Sequence, residues 1–165
     1  MPNLQIGVQF IGDAPSDVMK SRVCQLEDWG FDHFWPADER FFREVYSTLT
    51  LAALNTQRIK MGPCVTDPFT RHPALTAMAI ATLDEISDRR AFLVLGAGAS
   101  GFDSLGITPS KRAKSMMEAT KVIRRLLSGE KITFNGKTIQ FDEISLDFRP
   151  TNQNVPIFIA SNSPL

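Results

Sequence analysis

Two adjacent carboxylic acids, Asp38 and Glu39, follow an apolar run that ends at Pro36. A carboxyl at the end of a buried strand, held in a partly apolar pocket, has a raised pKa and can exchange a proton with a bound molecule. The same groups could equally form ion pairs with Arg40 or Arg43, since charged side chains often pair with no functional consequence. A second candidate is Gly62-Pro-Cys-Val-Thr-Asp-Pro-Phe-Thr-Arg-His-Pro73, where three prolines and a glycine constrain the backbone between an apolar run at 59–65 and an amphipathic helix. In α/β proteins the C-terminal end of a strand is where ligands bind, so the most constrained backbone falls where a site is expected. Arg71 on this loop reads as a structural ion-pair partner, and His72, pushed to an extended conformation by Pro73, can cap the helix.

Gly96-Ala-Gly-Ala-Ser-Gly101 matches the glycine spacing of a dinucleotide fingerprint. That motif needs the first strand of a fold, a helix opening at its second glycine and an acidic residue at a strand end about 20 positions on. Here it follows the fourth strand, loop-like sequence comes next, and Glu118 falls inside a helix, so a turn role is as good a reading. Cys24 and Cys64 make neither a disulfide framework nor a zinc site, and no neighbouring histidine or cysteine activates Cys64. No metal site is expected. His33 precedes the second strand, on the wrong side for catalysis.

These residues need a scaffold, and the hydrophobic periodicity supplies one. Strands are expected at residues 4–10, 31–36, 59–65, 91–95 and 155–160. Between them lie a helix from Ser16 as cap to about Trp29, with Val18, Val23, Leu26 and Trp29 inward, and a second at 46–55. A third starts at Pro73 and carries Leu75, Met78, Ala79, Leu83 and Ile86. A fourth is capped by Thr108, with Pro109 in its first turn, and runs to Leu127; Met116, Met117, Val122, Ile123, Leu126 and Leu127 form its apolar face. Around 130–143 the pattern changes to two alternating runs flanking Asn135-Gly136, the signature of a hairpin with a type I′ turn, set outside the main sheet. Alternating strands and helices imply an α/β fold with a parallel sheet. Both a doubly wound, flavodoxin-like open sheet and the first part of a β/α barrel fit this pattern.

With 165 residues, 43% hydrophobic and 22% charged, one soluble domain over residues 1–165 is expected. Eighteen basic and 18 acidic residues cancel, and no like-charge run suggests nucleic acid or an anionic membrane as partner. No stretch is long and apolar enough to span a bilayer, and the N-terminus lacks a signal pattern, so a cytoplasmic location is the expectation.

Residues 32–106 resemble the luciferase-like monooxygenase superfamily, nearest its branch that uses the deazaflavin coenzyme F420 and includes methylenetetrahydromethanopterin reductases. The matching pieces are Phe34-Trp-Pro-Ala-Asp-Glu-Arg-Phe-Phe-Arg43 with Tyr46, the block from Met61 to Pro73, Ala81-Thr-Leu-Asp-Glu-Ile-Ser87, Leu93-Val-Leu-Gly-Ala-Gly98 and Pro156-Ile-Phe-Ile-Ala160. The resemblance implies the first five β/α units of a (β/α)8 TIM barrel, a truncated barrel with a β-hairpin insertion. It implies a bulge in the third strand with a cis peptide between Cys64 and Val65 supporting one face of the coenzyme ring. Thr66 would meet the ring's polar edge, Gly96, Ala97 and Gly98 would let the coenzyme approach the backbone, and Ser161 and Asn162 would lie by its phosphate. Asp38 and Glu39 would sit at the barrel mouth as acid–base candidates; some F420 dehydrogenases carry histidine where this chain has Glu39. The implied activity is hydride transfer between F420 and a small organic substrate. Alternatives are an FMN-dependent monooxygenase and a non-catalytic truncated barrel that dimerises or binds another chain. An open barrel would expose strand edges, so a homo-oligomer is expected; a truncated barrel would also lack part of the implied phosphate site, so poor activity of the chain alone is expected.

Overall fold

The structure, a computed structural model, describes residues 4–98 and 100–161. Strands β1 (Gly7–Phe10), β2 (His33–Pro36), β3 (Lys60–Met61), β4 (Leu93–Gly96) and β7 (Ile157–Ala160) are parallel. They alternate with helices α1 (Ser16–Asp28), α2 (Val45–Asn55), α3 (Pro73–Ile86) and α4 (Arg112–Leu127). Strand β1 pairs with β2 (Val8 opposite Phe34), β2 with β3 (Phe34 opposite Met61), and β4 with β7 (Leu93 opposite Ile157). Two parallel bridges, Met61 to Ala91 and Thr66 to Leu95, join β3 to the β4 segment. The order therefore follows the chain without reversal. A flavodoxin-like open sheet, whose strand order reverses at a switch point, is ruled out.

One sheet face packs under the helices. Phe34, Leu49, Ile59, Met61, Ile80, Leu93, Leu95, Ile123, Leu126 and Leu127 are all but fully buried there. Each helix packs on the next, α1 on α2, α2 on α3 and α3 on α4. The opposite face carries an aromatic chain. His33, Trp35, Phe92 and Phe158 meet edge to face with centroids 5.6 to 6.2 Å apart. His33 is thus a packing residue, and burial holds its imidazole below the usual value.

Several local expectations are corrected. Pro15, not Ser16, occupies the N-cap of α1, and Met19 replaces Val18 on the buried side; Val18 and Trp29 are exposed. Helix α3 faces inward with Ala74, Ala77, Ile80, Ala81 and Leu83, while Leu75, Met78 and Ile86 are exposed. It is apolar almost all round, so periodicity could not choose the face; its small residues lie on the buried side, and it packs between α2 and α4. Helix α4 begins at Arg112 rather than at Pro109, with Lys111 in the left-handed region ahead of it, and Met117 of its expected apolar face is exposed. His72 does cap α3, its Nδ1 accepting the Ala74 amide at 3.2 Å.

Strands β5 (Ile132–Asn135) and β6 (Gln140–Ile144) form an antiparallel hairpin. Its turn is not the expected two-residue type. Asn135 pairs with Gln140, so the loop covers residues 136–139, and neither Asn135 nor Gly136 has a positive φ. The cause is tertiary. The buried Glu118 carboxylate of α4 accepts the Thr138 hydroxyl at 2.6 Å and the amides of Lys137, Thr138 and Ile139 at 2.9 to 3.1 Å. A carboxylate with four donors holds the loop in a shape that the Asn-Gly dipeptide alone would not choose. The Thr138 hydroxyl, then the Lys137 amide, pull the Glu118 pKa from 4.5 to about 2, against the opposing effect of burial. A lowered folded-state pKa adds stability above the unfolded value that is lost as pH falls through the folded one. Wild-type protein is therefore expected to melt above Glu118→Gln at neutral pH, and the gap should close as pH drops from 4.5 towards about 2. Melting curves across that range check it; a constant gap would mean that the ionised carboxylate does not hold the hairpin.

Candidate active site

The constrained stretch after β3 is a bulge. From Met61 to Thr66 the chain advances five residues, while its partners Ala91 and Leu95 are four apart (66 − 61 against 95 − 91), so one extra residue is accommodated. The Cys64–Val65 peptide inside it is cis. The bulge is tied on every side. The Cys64 amide donates to the Pro36 carbonyl at 2.9 Å, and the Gln9 side chain donates to the Cys64 carbonyl at 2.8 Å. Thr66 then rejoins the ladder, donating to Val94 and accepting from Gly96. A Cβ on Gly96 would lie 2.6 Å from Val65 Cγ2, so the glycine is what lets β4 lie against the bulge. Cys64 is a half-buried thiol whose pKa burial raises, which makes it a poor nucleophile.

Asp38 and Glu39 stand on the loop after β2, beside this bulge. Burial pushes the Asp38 carboxyl above the usual aspartate value, opposed by the neighbouring Thr66 hydroxyl and the Arg71 charge. Neither expected ion pair forms. Arg40 pairs instead with the buried Asp67, and Arg43 donates to the carbonyls of Gly12 and Asp13 at 3.2 and 3.0 Å. The Glu39 carboxylate accepts the Arg40 amide and the Ser100 hydroxyl, the latter at 3.0 Å. Arg71 makes the structural ion pair that its sequence suggested. It donates to Glu44 at 2.8 Å and lies 4.8 Å from the Tyr46 ring centroid. Thr66 is fully buried, so its hydroxyl faces inward.

The loop after β4 is wrapped around Phe102. Arg40 lies over that ring at 4.4 Å and Arg112 at 5.7 Å, while Phe69 meets it edge to face. Arg112 also donates to the carbonyls of Ala97 and Gly98 at 3.0 and 2.6 Å. Gly98, with φ +67, packs against the Phe102 ring and leaves no room there for a side chain. Ser161 follows β7 at the same end of the sheet. Asn162 lies outside the described residues. Among the described residues no group of histidine, cysteine and carboxylate side chains could hold a metal ion, and no helix is long and apolar enough to cross a membrane.

Comparison with known proteins places the chain in a family. Residues 13–165 match the luciferase-like monooxygenase family. The chain belongs to that family. Within it, the chain is 41% identical over 162 residues to a 5,10-methylenetetrahydromethanopterin reductase of Archaeoglobus fulgidus, covering 98% of this chain and 48% of that protein. The corresponding reductase of Methanolobus tindarius is 38% identical, with 98% and 49% covered. Among solved structures, the coenzyme F420 dependent tetrahydromethanopterin reductase from Methanopyrus kandleri superposes with a TM-score of 0.90 at 28% identity, over 97% of this chain and 51% of that one. This luciferase-like chain thus spans about half the length of the curated relatives it matches.

Sequence reasoning brought Asp38, Glu39, Cys64, Val65, Thr66, Gly96, Ala97 and Gly98 to one end of the sheet, and the structure places them there. It missed three supports of the candidate site. Gln9 holds the bulge, Ser100 holds Glu39, and Phe102 anchors the glycine loop. Gln9 alone carried a signal, as a polar residue within an apolar strand.

Proposed function

We propose that this chain belongs to an F420-dependent oxidoreductase that moves hydride between the deazaflavin and a small organic substrate. Its parallel strands are then the first five units of a (β/α)8 barrel, with the β5–β6 hairpin as an insertion. One observation carries the reading: a rigidly tied bulge at the C-terminal end of β3, next to a carboxyl whose burial raises its pKa. The residues present suit a flat ring. The Cys64–Val65 bulge offers it a fixed face, and Gly96, Ala97 and Gly98 offer close backbone beside it. Thr66 contributes through its place in the bulge. Ser161 and Asn162 are assigned to the phosphate end. When bound, the deazaflavin supplies the hydride chemistry, and the protein supplies orientation and electrostatics. Asp38 holds a proton on its carboxyl oxygen or gives it up, and Glu39, held by Ser100, faces the substrate side. The relatives' names make 5,10-methylenetetrahydromethanopterin the first substrate to try.

Titrating F420 and FMN separately against the purified protein, with coenzyme fluorescence as readout, tests this. F420 is expected to bind in preference to FMN. Gly96→Ala, which drives a Cβ against Val65, is expected to weaken F420 binding about tenfold, roughly 1.4 kcal/mol. Preference for FMN would favour a monooxygenase, and binding of neither would overturn an oxidoreductase role.

A further inference from the structure

Glu39 stands on the loop after β2, and the side chain that holds it comes from the loop after β4, 61 residues on. The Ser100 hydroxyl lies 3.0 Å from Glu39 Oε1 and 3.2 Å from Oε2. A hydroxyl has one proton to donate, and the shorter contact takes it. Oε1 also accepts the Arg40 amide at 3.2 Å. Two donors therefore share Oε1, while among the described residues Oε2 meets only the longer reach of the same hydroxyl. A carboxylate offers about four acceptor positions, so Oε2 keeps capacity to accept. Ser100 is itself placed by Arg40. Gly101, at φ +71, sits so close that a Cβ there would lie 2.9 Å from Arg40 Cδ, and Arg40 covers the Phe102 ring next in the chain. Arg40 is paired with the buried Asp67 beyond the β3 bulge. Loops after β2, β3 and β4 thus align one carboxylate together.

We propose that Ser100 is a positioning residue for Glu39: by engaging Oε1 it turns the carboxylate so that Oε2 accepts a hydrogen bond from an N–H or O–H group of the substrate. The inference rests on the substrate side given to Glu39 above. It also names a substrate class. Molecules that carry a donor at this point are favoured over those capped there by an alkyl group, because a site built to accept a hydrogen bond loses one when the donor is missing. Glu39 is half-buried and Ser100 is exposed, so the contact lies within reach of a molecule at the mouth, and a methyl group added to Ser100 has room.

The test has two arms. Three-bond NMR couplings about χ1 of Glu39 need no ligand. They should report one rotamer in wild type and in Ser100→Thr, which keeps the hydroxyl, and averaged rotamers in Ser100→Ala. Both are exposed substitutions and should leave the melting temperature in place, so a changed coupling is not a loss of fold. The second arm is the Kd of tetrahydromethanopterin, a pterin with ring N–H donors, measured with F420 present. Ser100→Ala should weaken it about fivefold, and Ser100→Thr should bind as wild type does. Added to Glu39→Gln, Ser100→Ala should weaken binding no further, because Ser100 acts through Glu39. A single unmoved Glu39 rotamer in Ser100→Ala, rotamers already averaged in wild type, or losses that add in the double variant would each overturn the inference. Failure of wild type to bind F420 would instead sink the coenzyme reading, and the couplings would still decide whether Ser100 positions Glu39.

Discussion

Asp67→Ala is expected to destabilise the protein by about 3–5 kcal/mol, a large part of the roughly 5–15 kcal/mol that holds a domain together. Asp67 side-chain exposure is 3% and that of its partner Arg40 is 10%, so truncation leaves a guanidinium buried without a counter-charge. The same carboxylate accepts the amides of Phe69 and Thr70 at 2.8 and 2.9 Å and the Thr70 hydroxyl at 2.9 Å. Losing them releases the turn that carries the chain from the bulge to α3. Arg40 in turn lies over Phe102, so the β4 loop should loosen with it. The figure is the cost of breaking the pair, not its net worth; Arg40→Met with Asp67→Leu should lose less than Asp67→Ala alone. Asp67→Asn, which can still accept the two amides, should fall between. Urea unfolding at neutral pH measures all three, and a loss below about 1 kcal/mol for Asp67→Ala would show that the pair does not hold this corner.

Much of the architecture was legible because its signals were local. Consecutive apolar residues marked β4, all of it buried, and the expected ends of the first and fourth helices, near Trp29 and at Leu127, fall just before Gly30 and Gly129, which take φ +83 and +86. Errors came where a distant group decided. The Asn135-Gly136 dipeptide asks for a tight turn, but Glu118 offers acceptors to three consecutive amides and wins. Helix α3 has apolar residues on every side, so its inward face was set by where alanines allow close packing.

The candidate site divides along the same line. Its backbone was legible, since prolines and glycines state their conformational demands in the sequence. Its charge pairing was not. Asp38, Glu39, Arg40 and Arg43 are near neighbours in the chain, which suggested pairing among them. The structure sends Arg40 to Asp67 and Arg43 to two carbonyls, leaving Asp38 half-buried with its pKa raised. Pairing depends on which loops meet, and loops from β2 and β3 meet only once the parallel sheet exists.

Arg90 is the clearest residue that sequence alone left unread, and its replacement gives the second large expected effect. It follows the left-handed pair Asp88 and Arg89, just before the β4 segment. Its guanidinium donates to the carbonyls of Ser87 at 2.6 Å, Ala53 at 2.9 Å, Thr56 at 3.0 Å and Ile59 at 3.0 Å, and to the Thr56 hydroxyl at 2.9 Å. One side chain thus closes the C-terminal end of α2, whose last carbonyls have no helical partner, and ties it to β3 and to the end of α3. Lysine can reach at most some of these acceptors with its single ammonium, so Arg90→Lys is expected to cost about 2–4 kcal/mol and Arg90→Met about 4–5, the unpaired carbonyls dominating. Arg90 lies at the opposite ends of the strands from Asp38 and the bulge. The folded fraction of Arg90→Lys should therefore bind F420 as wild type does, which separates a loss of fold from a loss of site. Urea unfolding beside coenzyme titration reads both, and retention of stability within about 0.5 kcal/mol in Arg90→Lys would show that the carbonyls find other partners.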